Sequence, residues 1–97
     1  MQISVARPDL DGGFLQKIAK AKIKEIKADI TVEGSEVNIQ VKSSNRTVGR
    51  FTFLKDDDCY FLENRHVIER ENYPFEFAVS ELLRLAKKKK IKYIAWL

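Results

Sequence analysis

His66 and Cys59 are the one histidine and the one cysteine of this chain, and they are the first residues to weigh for catalysis. A thiolate beside an imidazole would make a nucleophile and its base. They stand seven residues apart in a segment of strand character. Strict alternation sends them to opposite faces, so no such pair is expected. The expectation is a small sheltered thiol and a surface imidazole. Structural zinc takes about four sulfur or nitrogen ligands, more than one Cys and one His supply. Asp56-Asp57-Asp58 points its carboxylates in different directions within one turn. Asp9-Leu10-Asp11-Gly12-Gly13 puts Phe14 where a calcium loop needs its glycine. They read as a hairpin turn and a helix cap. Gly12-Gly13 also lacks the Gly-Lys-Ser/Thr that completes a phosphate loop. No catalytic residue, metal site or cofactor is assigned.

The lysines carry a stronger signal. Residues 14–28 hold Lys17, Lys20, Lys22, Lys24 and Lys27 against the single acid Glu25. Residues 84–92 hold Arg84, Lys87, Lys88, Lys89, Lys90 and Lys92 with no acid. The two blocks are net +4 and +6, which leaves −6 for the remainder of a chain whose formal charge is +4. Cations near a helix C-terminus gain about 0.3–1 kcal/mol each from the macrodipole. One or two lysines satisfy that effect, whereas four in a row repel one another. A polyanion would relieve the repulsion and release counterions. Phe77 falls on the polar side of its predicted helix, near Glu81 and Arg84, where a ring could stack on a base or enter a partner's pocket.

Elements must position these groups. From Phe14 to Ala28, Leu15, Ala19, Ile23 and Ile26 share one helical face, with Lys17, Lys20, Lys24 and Lys27 opposite and Lys22 at the apolar edge. Ala28–Gly34 and Glu36–Lys42 alternate as strands about a Gly34-Ser35 turn. Ser43-Ser44-Asn45-Arg46 is a second turn, and Thr47–Lys55 and Cys59–Val67 flank the aspartate turn. Pro74 suits the first turn of a second helix. In that helix Phe75, Ala78, Val79, Leu82, Leu83, Leu85 and Ala86 share a face, and the helix stops near Lys88. Gln2–Ala6 and Ile91–Leu97 complete the pattern β-α-β-β-β-β-α-β. The expected fold is α+β: an antiparallel sheet of about four to six strands with two amphipathic helices on one face, in a single domain over 1–97.

An apolar fraction of 44% and a charged fraction of 33% suit a compact, well-solvated domain. The lone cysteine and the absence of a signal-peptide layout or membrane span predict a cytoplasmic protein without a membrane partner.

Residues 47–96 resemble the C-terminal half of the GNAT acetyltransferase family. Val48-Gly49 opens a strand and Tyr60–Val67 gives the next, followed by Phe77–Lys88 as helix and Lys92–Ala95 as strand. The resemblance implies a similar fold. In that family an Arg/Gln-x-x-Gly-x-Gly/Ala loop at the strand-to-helix turn holds the coenzyme A pyrophosphate. From Arg70 this chain has Glu71, Asn72, Tyr73, Pro74 and Phe75, so aromatics fill both small positions and the pyrophosphate loop is missing.

The charge pattern predicts a small non-enzymatic nucleic-acid-binding protein. It would contact phosphates through Lys17, Lys20, Lys24, Lys27, Arg84, Lys87, Lys88, Lys89 and Lys90, with Phe77 beside them. The alternatives are a protein-interaction module that docks on an acidic protein partner, and a divergent GNAT-like fold without the coenzyme A loop. Oligomeric state is not legible at this level.

Overall fold

In the computed structural model, residues 3–7, 26–68 and 73–97 are described. Six strands and one helix follow in the order β1 (Ser4–Ala6), β2 (Ile26–Glu33), β3 (Glu36–Ser43), β4 (Arg46–Asp56), β5 (Cys59–Val67), α1 (Tyr73–Lys88) and β6 (Tyr93–Trp96). They form one sheet in the order β1-β6-β5-β4-β3-β2.

Alternation builds the meander. Val37, Ile39 and Val41 of β3 and Phe51 and Phe53 of β4 are buried on one face, with Tyr60 of β5 beside them. Gly34 turns the first hairpin at a φ of 60°, and Ser44 and Asn45 turn the second at 50° and 67°. In the second, positive φ at both central residues is the type I′ arrangement, whereas the first has it at Gly34 alone. Two bulges adjust the ladder. Val41 pairs Gly49 while Lys42 pairs Thr47, which leaves Val48 extra; Thr52 pairs Asn64 while Phe53 pairs Leu62, which leaves Glu63 extra.

The helix covers the apolar face. Phe75, Ala78, Val79, Leu82, Leu83 and Ala86 are all buried against the sheet. Its C-terminus closes as a Schellman motif: the Ile91 amide donates to the Ala86 carbonyl at 2.9 Å and the Lys90 amide to that of Lys87 at 3.4 Å. Lys90 occupies the left-handed position at φ 59°, a place usually held by glycine. The Asp58 carbonyl then accepts from the amides of Lys92 and Tyr93 at 2.7 and 3.2 Å, which starts β6 beside β5.

Three expectations need correction. First, the sheet is not wholly antiparallel: β6 pairs β5 in parallel and β1 antiparallel. The helix carries the chain back along the sheet, and a crossover of that kind returns the next strand in the same direction. Second, α1 is the one helix among the described residues. The helix expected over 14–28 lies outside them as far as residue 25, and Ile26, Lys27 and Ala28 are already strand. Third, the Glu63 bulge shifts the parity of β5. Cys59 and Phe61 therefore share the helix-free face with Asn64 and His66. Cys59 and His66 lie on the same face, not opposite ones, yet roughly 20 Å of strand separates them at about 3.3 Å per residue.

Candidate functional site

The start of α1 is seated on β4 by a close approach. Gly49 lies against Pro74, and a Cβ at Gly49 would stand 3.0 Å from that of Pro74 and 2.9 Å from the Phe51 ring. Phe75 is 6% exposed. Its ring meets Phe51 edge-on at 5.4 Å and Trp96 edge-on at 5.3 Å. The Arg65 guanidinium covers it at 4.3 Å from the centroid. Aromatic edge-to-face pairs and a cation over a ring each contribute about 0.5–1.5 kcal/mol beyond burial. A helix start can hold an anion when its amides are open to the ligand. Here proline supplies no amide hydrogen and the neighbouring ring is packed inward.

Beside this helix start the sheet opens. The pairing of β5 with β6 covers Cys59, Tyr60 and Phe61. From Leu62 to Val67 the β6-side edge of β5 meets no strand among the described residues.

On the opposite, helix-free face, polar residues line an open groove of about 480 Å³. The cross-strand rows are Asp29–Gln40–Arg50–His66 and Thr31–Asn38–Thr52–Asn64. Much of this floor is bonded to itself. Thr52 Oγ1 donates to Asn38 Oδ1 at 2.8 Å and Gln40 Nε2 to Thr47 Oγ1 at 2.5 Å, while Lys42 Nζ lies 3.2 Å from Asp29. Sequence reasoning did not single out this face. Its signal was there in the polar alternates of four successive strands.

Cys59 is half-buried, and its Sγ contacts the Tyr60 carbonyl at 3.6 Å. Burial pushes its thiol above the ordinary range, and the charges of Asp58 and then Asp56 push it further. That disfavours the thiolate, the reactive form of the group. Burial likewise raises the Tyr60 phenol. Among the described residues, no three His, Cys, Asp or Glu side chains converge to hold a metal. No helix among them is long and apolar enough to cross a membrane.

The basic residues do not assemble as expected. Lys17, Lys20 and Lys24 lie outside the described residues. Lys27 is exposed on β2, a strand at one edge of the sheet, and not on a helix. Lys87, Lys88, Lys89 and Lys90 are exposed at the end of α1. Arg84 lies 3.8 Å from Glu81, and Lys92 lies 3.7 Å from Asp58. Phe77 is half-buried and packs against the core, where it was expected on the polar side.

No protein-family model matches this chain, and no curated protein matches it by sequence. Among solved structures it is similar to the C-terminal domain (DUF2156) of a putative lysylphosphatidylglycerol synthetase from Agrobacterium fabrum, with a TM-score of 0.50 and 7% identity. The match covers 97% of this chain and 35% of that one, so the chain spans about a third of the neighbour's length. At that identity the likeness concerns the fold. It overturns the nucleic-acid-binding expectation, because it fits the acetyltransferase-like alternative instead. The placement of Lys27 on a strand removes part of the helical stripe on which that expectation was built.

Proposed function

We propose that this chain is a divergent acetyltransferase-like domain that has lost the coenzyme A pyrophosphate grip and works by binding, not by acyl transfer from coenzyme A. The observation that carries this reading is the start of α1, where Pro74 packs on Gly49 and Phe75 is clamped between Phe51, Trp96 and Arg65. A pyrophosphate would have to be met there by free amides and small residues. The chain instead spends those positions on packing. Support for the fold comes from the meander followed by a helical crossover into a parallel strand, and from the likeness to the synthetase domain. The helix-free face gives such a domain a polar groove to work with.

Calorimetric titration with acetyl coenzyme A, and with ADP as a smaller pyrophosphate carrier, tests the proposal. No saturable heat is expected from either at about millimolar ligand, the weak end of specific affinity. Saturable binding of both at micromolar ligand would show a working pyrophosphate site and overturn the reading.

A further inference from the structure

The two edges of the sheet are built differently. β1 is three residues long, and short strands are one way to blunt an edge. β2 is eight residues long, contains neither proline nor glycine, and pairs β3 without a bulge. Its outer edge meets no strand among the described residues. Two of its apolar side chains are exposed on the helix-bearing face: Ile30 at 36% and Val32 at 42%. A long edge without a bulge and with apolar side chains in solvent is a template for another strand.

Its charges indicate which strand. Lys27 sits opposite Lys42 of β3, and Glu33 sits opposite Glu36. Like charges directly across a ladder are destabilising. Both ends of β2 therefore set like charges across the ladder, positive at one end, where Lys42 also reaches Asp29 at 3.2 Å, and negative at the other. A second β2 laid antiparallel about a two-fold axis through Ile30 answers both. Lys27 then faces Glu33 of the second copy at each end, Asp29 faces Thr31, Ala28 faces Val32, and Ile30 faces its own counterpart. Sliding this register by two residues puts Asp29 against Asp29 in one direction and against Glu33 in the other. The self-complementary register is thus distinguished from its neighbours by charge.

Hydrogen bonding permits it. Glu33 and Glu36 flank a two-residue turn and are the bonded pair that closes it, so the odd-numbered residues of β2 bond to β3. The amides and carbonyls of Ala28, Ile30 and Val32 point to the open edge. Paired about Ile30 they form about six intermolecular backbone hydrogen bonds. We infer that β2 is the dimerisation strand of this protein, joining two copies through an antiparallel β2–β2 contact into one continuous twelve-stranded sheet.

Sedimentation velocity from about 1 to 500 µM, a range that brackets weak and tight self-association, reads the result directly. The expected species at high concentration has twice the 11.3 kDa chain mass. Glu33→Lys leaves like charges facing at both ends and weakens the dimer by about tenfold or more, whereas adding Lys27→Glu to it restores association. Both residues are exposed, so the variants keep the fold, which circular dichroism checks. A wild-type mass of 11.3 kDa across the range overturns the inference. So does a dimer that Glu33→Lys leaves unchanged, or one that the double reversal fails to repair. An edge that captures an extended peptide of another protein while the chain itself stays monomeric falls under the first of these outcomes.

Discussion

Replacing Gly49 by alanine probes the contact that seats α1 on the sheet. The new Cβ stands 2.9 Å from Cε2 and Cζ of Phe51 and 3.0 Å from Pro74 Cβ. Phe51 is not free to swing aside, because its ring is held edge-on by Phe75, and Phe75 is held in turn by Trp96. Added volume in so packed a place costs about 1–3 kcal/mol. Alanine recovers about 0.5–1 kcal/mol of the entropy that glycine loses in a strand, which leaves a net loss of about 0.5–2 kcal/mol. For 97 residues the unfolding entropy near the midpoint is about 200 cal/mol/K, so Tm falls by about 2–10 °C. Differential scanning calorimetry measures this, with Phe51→Leu as the diagnostic partner. Leucine removes the atoms that the new Cβ strikes, so the double variant loses less stability than the two single variants together. Gly34→Ala is the control. It meets nothing within 4 Å but holds φ at 60°, so its cost is conformational and does not couple to Phe51. A Gly49→Ala protein that melts with the wild type, or strict additivity with Phe51→Leu, would refute the steric account.

Three further outcomes follow from Lys90 and Cys59. Lys90→Gly removes a side chain from the left-handed residue that ends α1, and should stabilise by about 1 kcal/mol, or about 5 °C in Tm. A fall in Tm would contradict the cap geometry. Cys59 should react slowly with a disulfide reagent near neutral pH, and faster once Asp58→Asn removes the charge that acts on it more strongly, since burial and then Asp58 and Asp56 hold its thiol up. The sign for stability follows from the same shift. The unfolded thiol ionises first, from about pH 8.5 upward, while the folded one keeps its proton, so stability declines with rising pH from there until the folded thiol titrates. Cys59→Ser should make that decline shallower in urea titrations, and an unchanged slope would refute the assignment.

Much of the meander was legible because its signals are local. Val37, Ile39 and Val41 alternate cleanly, and Gly34, Ser44 and Asn45 are turn residues whose positive φ the structure uses. The second helix was legible for the same reason, down to its stop at Lys88. Ile26 was misread because it fits two periods at once: it follows Ile23 at helical spacing and leads Ala28, Ile30 and Val32 at strand spacing. The parallel placement of β6 depends on where a helix sets the chain down, which no periodicity records. The bulge at Glu63 left no mark in composition, yet it moved His66 to the face of Cys59. Phe77 was placed by an idealised wheel that ignores how far a large ring reaches from the flank of a helix toward the sheet. Of the candidate site, the aromatic substitution at Tyr73-Pro74-Phe75 was readable, but the groove on the far face was not. A groove of that kind arises only when four strands lie side by side.

Among the described residues, β1 has a single neighbour, β6. Ser4, Val5 and Ala6 are aligned with Trp96, Ala95 and Ile94, which makes this the pairing of longest sequence separation in the sheet among the described residues. Long-range pairing carries the larger loop-closure entropy, so β1 is expected to join the sheet after the local hairpins of the meander. A fluorescent reporter on β1 would then respond after one on the meander, and removing β6 would leave β1 without the strand that joins it to the sheet.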